Sequence, residues 1–82
     1  MTNEEIQYVL FYFGDHDYGK EAGHFTSLIM NAYQIADPRN KSRLRIVFPG
    51  LTTAMETVLN PPLEHLDGME HLRVILRAGA EG

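Results

Sequence analysis

The chain has no cysteine, which excludes disulfides and thiolate chemistry and permits a reducing compartment. It also lacks a long apolar run. The longest uninterrupted one, Tyr8 to Phe13, is far too short to cross a bilayer, and no basic-then-apolar leader precedes it. A cytoplasmic protein with no membrane partner is therefore expected. There is no low-complexity tract and no internal repeat. No Gly-x-Ser-x-Gly elbow and no phosphate-binding P-loop occur, and Gly14, Gly19 and Gly23 do not form a dinucleotide fingerprint. Cations are scarce as well: seven Lys and Arg face eleven Asp and Glu, a net charge of −4. That balance argues against nonspecific binding along nucleic acid, which depends on neutralising phosphates.

What is present is an ordinary globular composition, 44% hydrophobic and 22% charged, in 82 residues. A chain of this size has room for one domain and one core, and it can spare few residues for a walled active site.

The pattern predicts an all-α protein, a compact bundle of four to five short helices spanning residues 1–82. Thr2 and Glu5 have capping-box spacing, and behind them Ile6, Val9, Leu10 and Phe13 share one side of a first helix that Gly14 ends. Asp15 to Gly19 reads as a polar loop, with Asp17 able to cap the helix after it. Over Lys20 to Ala36, Phe25, Leu28, Ile29, Ala32 and Ala36 recur at three- and four-residue steps, and Met30, Tyr33 and Ile35 widen the stripe. So wide a stripe needs cover from several neighbours, so this helix is expected to be the central one. Asp37-Pro38 supplies a cap and a first-turn proline for the next helix, whose stripe is Leu44, Val47 and Phe48. Pro49 opens another, buried through Leu51, Met55, Val58 and Leu59 with Ala54 allowing close approach, and Asn60-Pro61-Pro62 stops it. Asp67 and Glu70 begin a last helix with Met69, Leu72, Ile75 and Leu76 on its apolar side, Arg73 and Arg77 near its C-terminal end, and Gly79 as the stop. Ala80-Glu81-Gly82 should fray. The alternative is an α+β fold with strands at 8–13 and 43–48, because short apolar runs suit either state.

Four groups of residues are candidates for function. Asp15, His16, Asp17 and His24 are of metal-ligating or proton-exchanging types, but neither His16 with His24 nor His65 with His71 has the i, i+4 spacing of a helical ligand pair. Turn-forming and capping is the plainer account, and no metal and no cofactor is expected. Ser27, Ser42 and the threonines supply hydroxyls, yet no motif joins them to a base, so no catalytic residue and no enzymatic activity is expected. Arg39, Lys41, Arg43 and Arg45 form the strongest polar signal: residues 38–48 hold these four cations and no acid, whereas residues 1–37 hold Lys20 against six acids. Cations in the first turns of a helix oppose its dipole, so helix stability does not favour their placement. They suit contact with an acidic protein surface or phosphates, unless the chain's own acids neutralise them. Finally, four Tyr and four Phe exceed what a thin bundle buries, and Phe11 and Tyr12, off the main stripe of the first helix, are candidates for partner docking or self-association.

The elements Tyr12 to Lys20, Gly23-His24-Phe25-Thr26, Leu28-Ile29, Ala36-Asp37-Pro38, Asn40, Arg43-Leu44 and Phe48-Pro49-Gly50-Leu51 together carry a resemblance. Over roughly residues 8 to 55 the chain resembles a group of short proteins encoded by bacteriophages of actinobacteria, in which a Gly-Lys, a His-Phe-Thr, an Ala-Asp-Pro and a Phe-Pro element follow in this order. The resemblance implies a phage or prophage source and an accessory role, binding a host or virion protein. It brings no functional residues. The expectation is a small non-enzymatic protein-binding module that engages a bacterial host protein or self-associates through Arg39, Lys41, Arg43, Arg45, Phe11 and Tyr12. The alternative is a nucleic-acid-binding module using the basic stretch.

Overall fold

The structure, a computed structural model, describes residues 1–79. Five helices follow one another: α1 Asn3–Tyr12, α2 His24–Ile35, α3 Pro38–Val47, α4 Pro49–Leu59 and α5 Gly68–Arg77. Among the described residues there is no strand, so the apolar runs at 8–13 and 43–48 are helical.

The helix starts follow from local chemistry. The Thr2 hydroxyl accepts from Glu5 N at 3.1 Å, and Glu5 Oε1 accepts in return from Thr2 N at 2.7 Å. Asp37 caps α3 through Asn40 N at 2.8 Å ahead of Pro38, and Asp67 caps α5 through Glu70 N at 2.8 Å. The Asp67–Glu70 pair forms only half of a capping box, because the Glu70 carboxylate turns instead to Arg73 and Arg77. Gly79 ends α5 with φ +81, and the expected fraying of Ala80 to Gly82 lies outside the described residues.

The beginning of α2 is a correction. It starts at His24 rather than Lys20, and its N-cap is Gly23, with no side-chain cap from Asp17. The cause is tertiary. Lys20 N donates to Gln7 O at 3.0 Å, which holds the 18–23 segment alongside α1. Gly19 packs so closely there that a Cβ would collide with the backbone of Phe11 and Asp15.

A second correction concerns the centre of the bundle. The helix that packs against all four others is α4, not α2. Leu51, Ala54 and Met55 on α4 meet Ile6, Val9 and Leu10 of α1, Met30 and Tyr33 of α2 and Leu72 of α5 in one core. Each such large side chain removed from water contributes about 1.5–3 kcal/mol before entropy is counted. Gly68, at the start of α5, is buried where a Cβ would run into the backbone of Thr57 and Val58, and this lets α5 lie close across the end of α4. No residue of α3 is buried; it covers the outside of α2 and α4 through the half-buried Leu44 and the Phe48 cap. No helix among the described residues is long and apolar enough to cross a membrane.

Candidate functional site

The basic stretch does not form one ridge. Successive residues of an α-helix are about 100° apart, so cations two positions apart point to nearly opposite sides, and those four apart share one. Lys41 and Arg45 accordingly turn inward. The Lys41 ammonium lies 5.2 Å from the centre of the Tyr33 ring, Arg45 Nε donates to the Tyr33 hydroxyl at 3.2 Å, and the Arg45 guanidinium stands 4.0 Å from the Glu56 carboxylate. Tyr33, fully buried, donates its own O–H to Glu56 at 2.5 Å, and Asn60 donates to the other Glu56 oxygen at 2.6 Å. The Tyr33 hydrogen bond holds the Glu56 carboxyl below the usual carboxylate range against the opposing effect of burial, with smaller help from Asn60, Lys41 and Arg45. Burial pushes the Tyr33 hydroxyl up. These groups pin α3 to α2 and α4, so two of the four cations are engaged at the surface by the chain's own Tyr33 and Glu56. Arg39 and Arg43 point outward: Arg43 bonds only Asn40, at 3.1 Å, and Arg39 makes no ion pair among the described residues.

Phe11 and Tyr12 are both half-buried. The Phe11 ring lies 4.5 Å from that of His16, and the Tyr12 hydroxyl donates to Gln34 at 2.7 Å on α2. They line a small hollow of about 240 Å³ between α1 and α2, with Tyr8, Ala22 and Met30 among its walls.

The Asp15 loop is tied down as a turn. One Asp15 oxygen accepts from Asp17 N and Tyr18 N, both at 3.0 Å, and the other from Arg73 at 2.7 Å. The Tyr18 backbone bond leads in holding the Asp15 carboxyl below its ordinary range. Arg73 and Arg77 also grip Glu70, at 2.8 and 2.9 Å, so this network joins the loop to α5. No three His, Asp or Glu side chains among the described residues stand close enough together to hold a metal ion.

A wider groove lies elsewhere, along residues whose spacing predicts core. Ala32 and Ile35 of α2, with the Ala36 cap, face Asn40, Arg43 and Leu44 of α3 across a groove of about 560 Å³, which Asp37 in the connection between the two helices also lines. Phe25, Leu28 and Ile35, expected to be covered, are 66, 52 and 76% exposed, and Val47 on α3 is 65% exposed. The buried residues of α2 are Met30 and Tyr33 instead. Val47 lies three and four positions beyond Leu44 and Arg43, on the side of α3 that faces the groove, and the Phe25 and Phe48 rings meet at 6.1 Å near its far end. An apolar ridge thus runs the length of α2 beside α3, with Arg43 projecting next to it and Arg39 one turn away.

Comparison with protein families, curated proteins and solved structures found nothing that matches this chain.

Proposed function

We propose that this chain is a non-enzymatic protein-binding module that docks its partner across the α2–α3 face. The observation that carries this reading is the open ridge of Phe25, Leu28, Ala32 and Ile35, a helix side as apolar as one inside a core, left without a cover. Grouped exposed apolar side chains with a polar rim mark protein contacts, whereas scattered ones do not. The polar lining of the groove weighs against catalysis: Asp37 caps α3 and Asn40 accepts from Arg43, which leaves no free base beside a nucleophile there.

The contact is therefore assigned to α2 and α3 in preference to Phe11 and Tyr12, whose outer atoms already have partners within the fold. Arg39 and Arg43 guide the approach and register of the partner; Lys41 and Arg45 hold the face rigid. A nucleic-acid role is weaker on this account, because only two outward cations are left to neutralise phosphates. The resemblance to actinobacteriophage proteins makes a host or virion protein in the bacterial cytoplasm, or another copy of the chain, the natural class of partner.

The test is capture of partners on immobilised protein, wild type against the double variant L28D/I35D. Both side chains are exposed, so the variant should keep its helical circular dichroism and thermal midpoint while losing the captured chain. Unchanged capture would overturn the assignment of the face. Salt-sensitive binding to duplex DNA with no dependence on these two positions would favour the nucleic-acid reading instead.

A further inference from the structure

We propose that the hollow between α1 and α2 is a binding site for a quaternary ammonium headgroup, separate from the α2–α3 face.

The walls carry the first argument. Tyr8, Phe11 and Tyr12 stand at positions i, i+3 and i+4 of α1, so they share one side of that helix, and they line a space of about 240 Å³ with Ser27 and Met30 of α2 and Glu21 from the segment ahead of α2. The space is smaller than the cavities that enclose whole drug-sized ligands, and it suits a headgroup. Aromatic rings beside a carboxylate are the chemistry that holds an organic cation, because the ring quadrupole attracts positive charge. These rings are held in place. Phe11 rests against the His16 ring at 4.5 Å, the Tyr12 hydroxyl donates to Gln34 at 2.7 Å, and the Tyr8 hydroxyl is turned to the Glu4 carboxylate. With both phenol hydroxyls engaged, what the two tyrosines offer a ligand is aromatic carbon, and the buried Met30 adds a polarisable thioether.

The second argument is charge. Residues 1–37 hold one Lys against six acids, and the Lys is committed to Glu4 at 3.5 Å. Asp15 is taken by Arg73, and Glu5 and Asp37 by helix caps. Glu21, by contrast, is exposed and forms no ion pair or hydrogen bond among the described residues. No Lys or Arg lines the hollow, so the chain brings no cation of its own to Glu21 there. The acidic surroundings raise the local concentration of positively charged solutes at its mouth.

The walls also choose between kinds of cation. Among the lining side chains only Ser27 and Glu21 carry an oxygen without a partner among the described residues. A primary ammonium is strongly hydrated and would give up water from three N–H donors, whereas a methylated nitrogen has no donor to satisfy and turns apolar methyl groups to the rings. A free choline-like amine and a trimethylated lysine side chain of another protein present this same headgroup.

Nuclear magnetic resonance titration of the full-length chain tests this, read at the backbone amides of Glu21, Ala22 and Ser27. Choline should bind saturably and at least about tenfold more tightly than 3,3-dimethylbutan-1-ol, its uncharged isostere, and more tightly than ethanolamine, which lacks the methyl groups. Glu21→Gln, an exposed change that leaves the fold alone, should weaken choline about three- to tenfold, and Phe11→Leu should weaken it with helical circular dichroism retained. L28D/I35D, on the other face, should bind choline as the wild type does, which separates this site from the docking assignment. A peptide carrying trimethyllysine among neutral residues distinguishes the sources: tighter binding than choline assigns the site to a protein side chain, and equal or weaker binding to a free amine. No saturable shift up to about 50 mM choline, equal binding of choline and its uncharged isostere, or binding indifferent to both Glu21→Gln and Phe11→Leu would overturn the proposal.

Discussion

Helices α2 and α4 are of nearly equal length, twelve and eleven residues, and both are rich in apolar side chains, yet one closes the core and the other opens to solvent. On α4, Leu51, Thr52, Ala54 and Met55 are buried beneath four neighbouring helices. On α2, only Met30 and Tyr33 are buried, while Phe25, Leu28 and Ile35 stand clear. The difference teaches that apolar periodicity identifies which residues share a side, and leaves open which side faces inward. It also divides the molecule into a part built for stability and a part free for contact.

The largest test of that division is truncation in each helix. Met55→Ala, at a fully buried position, should cost about 2–5 kcal/mol, enough to lower the unfolding midpoint of so small a domain steeply. Ile35→Ala, at 76% exposure, should stay within about 0.5 kcal/mol of wild type, as surface changes do. Chemical denaturation of the two variants checks both values. A comparable loss at Ile35 would mean that the ridge is part of the core after all.

Backbone proximity supplies the next effect. Gly68→Ala would drive a methyl group into the carbonyl of Thr57 and the Cα of Val58, backbone atoms that cannot swing aside, so α5 must retreat from α4. Overpacking of this kind costs about 1–3 kcal/mol. Gly23→Ala has open space around its Cβ at the N-cap of the exposed helix, where the weaker cap is offset by the stiffer unfolded chain, so the net change should stay within about 0.5 kcal/mol. Equal losses at the two glycines would blur the distinction between the closed and the open helix.

These contrasts also show what was legible in the sequence. Thr2 with Glu5, Asp37 with Pro38, and Asp67 each cap a helix within three residues of themselves, so their roles could be read from local chemistry. The start of α2 could not, because Gly19 and Lys20 are held by Phe11 and Gln7, contacts the linear order does not reveal. The choice of buried side on α2 was equally hidden. Both Phe25-Leu28-Ala32-Ile35 and Met30-Tyr33 are apolar, and the second is buried because the Tyr33 hydroxyl finds Glu56 and Arg45, from α4 and α3. The splitting of the cations was available in principle: positions 39, 41, 43 and 45 alternate by two, and on a helix that spacing must divide them between opposite sides.

The smallest expected effect sharpens that last point and concerns pH. Glu56 is held below the ordinary carboxylate range mainly by the Tyr33 hydrogen bond, so between the depressed value and the usual value of about 4.3 the unfolded chain binds more protons than the folded one. The stabilisation is therefore present above the ordinary carboxylate range and is lost as pH falls through the depressed value. Because the Glu56 side chain is a third exposed, solvent screening keeps its share small, below about 1 kcal/mol. Glu56→Gln should lower stability slightly at neutral pH and flatten the acid limb of the stability profile, where Asp15 alone of the two loop and core anchors would continue to titrate. Arg45→Ala should show the same trend more weakly, since its guanidinium is the minor influence on Glu56, whereas Arg39→Ala should leave the acid limb where it is. An acid limb that moved with Arg39 and not with Arg45 would place the outward cation inside the fold's electrostatics, and the separation between the pinned and the free pair would be lost.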